Sequence, residues 1–222
     1  MATLHEDGYA VLCAVLDPEQ IAPIQQVIES LAVAGAGSRA LLELECCREL
    51  VERIRSHPAI RSSLPQSAVA VQCTLFDKTR ERNWLVALHQ DLSVPVKERV
   101  EDRRLGGWSV KEGRHFVQAP VELLEQLLAV RVHIDHCGPE NGPLRVVPGS
   151  HRHGRLERVA ARQLRDRLGE VSCAVAGGGA LLLRPLLLHA SPKARSPQHR
   201  RVLHFLFGPA VAGYGLQWQH AV

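Results

Sequence analysis

Aromatic residues are scarce. Three Trp, two Tyr and four Phe in 222 residues are too few to interleave with basic clusters as stacking platforms do, so a dedicated nucleic-acid-binding surface is not expected. The charge excess is also small, 27 Lys and Arg against 23 Asp and Glu for a formal net charge of +4, short of the bunched basic character of such binders. No apolar run approaches the roughly 20 residues that cross a bilayer. Acids occupy the opening MATLHEDGYAVL, where a secretory signal needs a basic segment, and a cytoplasmic protein without a membrane anchor is the expectation. Paired CxxC spacing is missing: the cysteines fall at 13, 46, 47, 73, 137 and 173. Adjacent Cys46 and Cys47 are poorly placed to bond each other, and reduced thiols are expected. There is neither an internal repeat nor a low-complexity linker. What the chain does have is 45% apolar residues, enough for a full core, and twelve histidines.

The first 66 residues read as mainly helical support. Asp17 caps a helix whose first position is Pro18, and Gln20 completes a capping box. Ile21, Ile24, Val27, Ile28 and Leu31 follow at helical spacing, and a second helix is expected from Ser38 to Ser56, separated by the Gly-Ala-Gly at 35–37. From Ala68 the period becomes two, with Val69, Val71, Cys73 and Leu75 alternating with Ala70, Gln72, Thr74 and Phe76. Further strands are predicted over Trp84–Leu88, Leu128–Cys137, Leu144–Val147, Ala180–His189 and Val202–Phe207, with a helix over Arg158–Leu168 and a turn at the glycines 177–179. Asn141-Gly142 predicts a hairpin between the strands that flank it. Helices followed by short strands imply one α+β, mainly β domain over 1–222, its sheets closing as a sandwich or jelly roll over 67–222.

The chemistry points to His89-Gln90-Asp91. Residues i and i+2 of a strand share a face, so the imidazole and the carboxylate can bind one metal ion with Gln90 turned away. His189, ending the run ALLLRPLLLH, supplies a third ligand, and two histidines with one carboxylate make the facial triad of non-haem Fe(II) oxygenases. Arg200 lies eleven residues farther on, across a polar turn and at the start of the next strand, where an antiparallel return brings it beside the metal and a guanidinium can grip a carboxylate bidentately. Arg195 falls in the turn, and Arg201 takes the opposite face from Arg200; periodicity does not say which face is inward. A second HxD, His133-Ile134-Asp135, competes with the first.

Three stretches, FDKTRERNWLVALHQD (76–91), VRVHIDHCGPENGPLRVVPGSHRHG (130–154) and LLLRPLLLHASPKARSPQHRRVLHF (181–205), together with the opening DGYAVLCAVLDPEQI, closely resemble the phytanoyl-CoA dioxygenase family of Fe(II)- and 2-oxoglutarate-dependent oxygenases. The resemblance implies a double-stranded β-helix (jelly roll, cupin-like) with N-terminal helices packed outside. It puts Fe(II) on His89, Asp91 and His189, and the 2-oxoglutarate carboxylate on Arg200 with Ser191 as a second contact. Gln72 takes a position that reaches toward the co-substrate in related hydroxylases. By the same resemblance His133 and Asp135 are not the metal pair, and a structural role is expected for both. PGSH (148–151) and Asn141-Gly142 are expected to turn the chain, and Lys78, Asn83 and Trp84 to pack or hydrogen-bond. One departure is that glycines alone occupy 177–179, where many members have an acid. Halogenating relatives lack the carboxylate that Asp91 provides, so hydroxylation with O2 is expected, giving succinate and CO2.

The segment of about forty residues after Asp91, with its Gly106-Gly107-Trp108 turn, is expected to be a lid, and Trp108 and Lys111 to face the substrate. Arg103, Arg104, Lys111 and Arg114 along it are compatible with an anionic small-molecule substrate. Two rival readings are a metal-dependent jelly-roll isomerase or hydrolase that needs no 2-oxoglutarate, and a non-catalytic binding module on the same fold.

Overall fold

The computed structural model describes residues 2–31, 37–195 and 199–222. Positions 35 and 36 of the predicted Gly-Ala-Gly break, and 196–198 of the polar turn before Arg200, lie outside them.

Three antiparallel sheets carry the site. The largest runs, in spatial order, β1 (Tyr9–Leu12), β11 (Ala180–Leu183), β8 (Leu128–His133), β13 (Arg200–Pro209), β3 (Ala68–Lys78) and β2 (Gly37–Ser38). The second runs β10 (Val171–Cys173), β9 (Leu144–Val146), β12 (His189–Ser191) and β4 (Val86–His89), and the third β5 (Ser93–Val96), β7 (Arg114–Gln118) and β6 (Gly106–Lys111). The fold is a double-stranded β-helix.

Alternation along β13 shows how the large sheet serves two cores. Leu203, Phe205 and Phe207 pack against the helices, with Ile24, Ile28, Val51 and Ile54, whereas Leu206 faces the interior with Val71, Ala129 and Val146. Phe205 and Phe207 have no exposed surface, and full burial of such a side chain is worth about 1.5–3 kcal/mol. On β3 the strict alternation breaks at Val71: Leu206 pairs with Gln72 and Phe207 with Ala70, leaving Val71 as the extra residue of a bulge. The bulge keeps Ala70, Cys73 and Leu75 on the helix side while Val71 turns inward.

The helix Pro18–Ser30 forms as its caps predict, with Gln20 Oε1 accepting from the Asp17 amide at 2.9 Å. The helix Arg158–Leu168 also matches. The second helix is shorter than expected and spans Glu45–Ser56. Gly37 and Ser38 instead pair with Phe76 and Leu75 on β3, an approach so close that a Cβ on Gly37 would lie 1.7 Å from the Leu75 carbonyl oxygen. The first forty residues thus supply both edge strands of the large sheet.

Two further expectations change. The hairpin around Asn141-Gly142 does not form, because β8 and β9 belong to different sheets. Gly142, at φ 61°, ends a short 3-10 turn over Pro139–Asn141, and a Cβ there would lie 2.6 Å from the Pro192 carbonyl oxygen. The expected single strand Ala180–His189 is two strands, β11 and β12, in different sheets, with the chain crossing between them at Arg184-Pro185; proline has no N–H to continue a ladder. The 177–179 turn needs no acid. The Gly178 carbonyl accepts from the Val15 and Leu16 amides, and the Gly178 amide donates to the His133 carbonyl.

Candidate metal centre and its cavity

His89 closes β4, His189 opens β12, and the two are register partners. Each imidazole is oriented by its own backbone: Nδ1 of His89 lies 2.8 Å from the Ala87 carbonyl oxygen, and Nδ1 of His189 lies 2.8 Å from that of Leu187. A carbonyl only accepts, so the proton sits on Nδ1 and the Nε2 lone pair is free. Both Nε2 atoms face Asp91, at 3.5 Å from Oδ1 for His89 and 3.6 Å from Oδ2 for His189. Asp91 lies just past β4, its amide bonded to the Pro185 carbonyl in the crossover that leads to His189. Gln90 is turned away, as the i, i+2 argument requires. Its Nε2 donates to the carbonyls of Gly154 and Leu186 at 2.8 and 2.7 Å, and its Oε1 accepts from the Leu156 amide. Ser150 of the PGSH segment accepts from the Leu188 amide, bracing the residue before His189.

Electrostatics favour the metal-binding forms of Asp91 and His189, whereas Asp91 draws His89 toward its protonated form. Burial alone would raise the Asp91 carboxyl, but the facing His189 and His89 hold it well below the usual carboxylate range. Burial pushes the His189 imidazole down to about 4, against the pull of Asp91. For His89, burial is outweighed by the hydrogen bond and charge of Asp91, and its pKa rises. One donor atom from each of the three residues falls within 4.8 Å of the others. Two neutral imidazoles and one carboxylate fit a divalent transition metal with open positions.

The triad opens into a cavity of about 350 Å³. Arg200 lines it, 3% exposed, with Nη1 donating to the Gly142 carbonyl at 2.6 Å and Nε buried with no partner. Ser191, also in the lining, has its Oγ 3.5 Å from Arg200 Nη1, and Lys78 Nζ donates to that Oγ at 2.9 Å. Arg201 takes the other face and is clamped bidentately by Asp135, whose Oδ2 accepts from Nε at 2.9 Å and Oδ1 from Nη2 at 2.8 Å. Arg195 pairs with Glu140 in the turn. The choice among the three arginines is thus made by packing. Asp135 has the structural role expected of it, and buried His133 is held neutral, its pKa pushed down to about 3 by burial and then Arg131.

Gln72 and Lys111 line the cavity. Trp108 does not: it packs on the interior cluster with the Arg99 guanidinium 5.6 Å from its ring. The expected lid is the third sheet, not a loop. Arg104 pairs with Asp102 and Arg114 with Glu43, which leaves Lys111 as the basic residue of that segment that faces the cavity. Asn83 exchanges two hydrogen bonds with the backbone of Ala194. Trp84 lines the cavity, and Lys78 Nζ sits 5.3 Å from the centre of its ring.

Several cavity residues were not singled out in the sequence. Thr74 and Phe76 follow Gln72 at the strand period, and His204 follows Arg200 by four; the alternation was sufficient to find them once one inward residue was known. Arg131 had no such signal. It lies on β8, 7% exposed, with Nη1 bonded to His204 Nδ1 at 2.9 Å and its guanidinium 5.1 Å from the Phe76 ring.

A double-stranded β-helix with a His-Asp-His triad at one end of its cavity is the framework of the 2-oxoglutarate-dependent non-haem iron oxygenases. The chain belongs to the phytanoyl-CoA dioxygenase family, whose pattern matches residues 4–202. Similar solved structures include the α-ketoglutarate-dependent epimerase SnoN from nogalamycin biosynthesis, with 16% identity, TM-score 0.67 and coverage of 96% of this chain and 84% of that one. EctD from S. alaskensis, solved with 2-oxoglutarate and 5-hydroxyectoine, has 19% identity and TM-score 0.68, covering 93% and 74%. HygX from Streptomyces hygroscopicus, with nickel and 2-oxoglutarate bound, has 18% identity and TM-score 0.65, covering 93% and 84%. No curated protein matches the sequence. Among the described residues no helix is long and apolar enough to cross a membrane.

Proposed function

We propose that this chain is an Fe(II)- and 2-oxoglutarate-dependent oxygenase that hydroxylates an unactivated C–H bond of a small molecule. The observation that carries the reading is the sharing of one cavity by the His89–Asp91–His189 triad and the Arg200 side chain. Iron, when bound, supplies oxygen activation coupled to decarboxylation of 2-oxoglutarate to succinate and CO2. His89, Asp91 and His189 would hold it and leave the remaining positions open. Arg200, with Ser191 beside it, receives the distal carboxylate of the co-substrate, and Lys78 behind Ser191 adds positive charge to that end. Gly142 fixes Arg200 by accepting from Nη1. Val86, Leu144 and Leu206 on the walls exclude water from the reacting centre.

Arg200 separates this reading from a 2-oxoglutarate-independent isomerase or hydrolase, because a guanidinium in the cavity wall offers a carboxylate charge-assisted hydrogen bonds that those reactions do not call for. A non-catalytic module is disfavoured by three ligand side chains already held with their lone pairs convergent. The test is O2-dependent conversion of 2-oxoglutarate to succinate by the iron-loaded protein. Formation of succinate that is lost in both His89→Ala and Arg200→Ala supports the assignment; turnover of a substrate without 2-oxoglutarate, unchanged in Arg200→Ala, refutes it. The epimerase SnoN and the carbocyclase SnoK motivate a second outcome on the same site, hydrogen removal without hydroxyl return, and 18O from O2 in the product decides between them.

A further inference from the structure

The charges in the cavity do not balance with the metal and co-substrate alone. Asp91 is the single acid among its described lining residues, against the cations Arg39, Lys111, Arg131 and Arg200. Arg39 is satisfied by Glu112 at 2.8 Å. A divalent metal ion, the Asp91 carboxylate, a 2-oxoglutarate dianion and Arg200 together are neutral. Arg131 and Lys111 remain, two positive charges on the cavity wall, and among the described residues neither is in an ion pair with an acid.

Each is placed to meet a ligand. Arg131 comes from the large sheet, is buried, and has His204 as its hydrogen-bond partner. Lys111 comes from the third sheet, its ammonium 4.7 Å from the centre of the Phe116 ring. Both line the same cavity as Asp91. The apolar walls near them, Phe76 and Phe116, suit a flat or aliphatic body. Resting on the function proposed above, we infer that the substrate is an anionic small molecule, a carboxylate on an apolar body, recognised by Lys111 and Arg131. Charge-assisted contacts of this kind discriminate against a neutral isostere, which leaves the two cations unmatched.

The test uses the full chain under anaerobic conditions, with Fe(II) and saturating 2-oxoglutarate so that Arg200 is occupied. Benzoate and its neutral isostere benzamide are titrated by calorimetry. Benzoate is expected to bind about tenfold or more tighter than benzamide, as one charged hydrogen bond supplies, with the preference lost in Lys111→Met and kept in Lys111→Arg. Lys111 is only partly buried at a sheet edge, so its variants keep the fold; Arg131→Gln is the second variant, checked for folding by circular dichroism. Equal binding of the two probes, no binding of either, or a benzoate preference that survives Lys111→Met overturns the inference. The visible band of the Fe(II)–2-oxoglutarate complex is recorded in the same samples. Its absence in the unmodified protein would instead count against the proposed function, so the two failures are told apart.

Discussion

His89 and His189 sit opposite each other on neighbouring antiparallel strands, their ring centroids 4.2 Å apart and their planes inclined at 51°. Each is locked by the carbonyl two residues before it, so both Nε2 lone pairs are aimed before any metal arrives. That preorganisation comes from backbone geometry, and the side chains that hold the backbone should therefore matter as much as neighbours of the ion.

Gln90 is the clearest of these. Its amide ties the strand end to Gly154, Leu156 and Leu186 without touching the triad, so it acts as a positioning residue. Gln90→Ala should weaken Fe(II) binding about tenfold, measured by metal titration, and lower the thermal midpoint of the metal-free protein. Unchanged affinity in a folded variant would show that the strand end holds without it.

Arg200→Gln keeps a donor and removes the charge. It should raise the dissociation constant of 2-oxoglutarate by about a hundredfold, the equivalent of losing about 3 kcal/mol of charged hydrogen bonding, while Fe(II) affinity stays within twofold. An equal loss of metal binding would mean that Arg200 supports the fold rather than the co-substrate.

Lys78 gives the site a pH dependence. Burial, and then the charge of Arg200, push its ammonium down to about 7. Arg131, Cys137 and the Trp84 ring also face it; the first stays charged, and burial raises the Cys137 thiol. A dianion beside Ser191 favours protonated Lys78, so above pH 7 binding takes up a proton and affinity should fall as pH rises, by up to about tenfold per unit. Below pH 7 the curve should flatten. Measuring 2-oxoglutarate affinity from pH 6 to 9 checks the sign, and Lys78→Met should abolish the slope.

The Asp135–Arg201 clamp is structural. Asp135→Asn should destabilise the protein by about 2–3 kcal/mol through the loss of charged hydrogen bonds in a half-buried setting, read from urea midpoints, and leave 2-oxoglutarate binding intact once folded. A loss of binding in the folded variant would place the second HxD in the site after all.

Much of this site is legible in the sequence because the strand period carries it: His89 with Asp91, and Arg200 opposed to Arg201, are consequences of alternation plus one known partner. His189 is found despite the wrong strand boundaries, since a strand through Arg184-Pro185 and a crossover at the same point both deliver residue 189 to the cavity end. What is not legible depends on which sheet a strand joins. β8 and β9 look like a hairpin from Asn141-Gly142, yet they pair with distant strands, and no local signal reports that choice. The segment after Asp91 reads as a loop because β5, β6 and β7 are short and the charged run KERVEDRR (97–104) lies between β5 and β6. Arg131 is hidden for a different reason: an arginine inside an apolar strand gives no sign of being inward until His204 and Phe76 are beside it.

The most direct measurement is the visible spectrum of the protein with Fe(II) and 2-oxoglutarate in the absence of oxygen. The account predicts a weak charge-transfer band in the native chain that disappears in His189→Ala and needs higher 2-oxoglutarate in Arg200→Gln. A folded, iron-loaded native sample without the band, or a band that persists in His189→Ala, would contradict it.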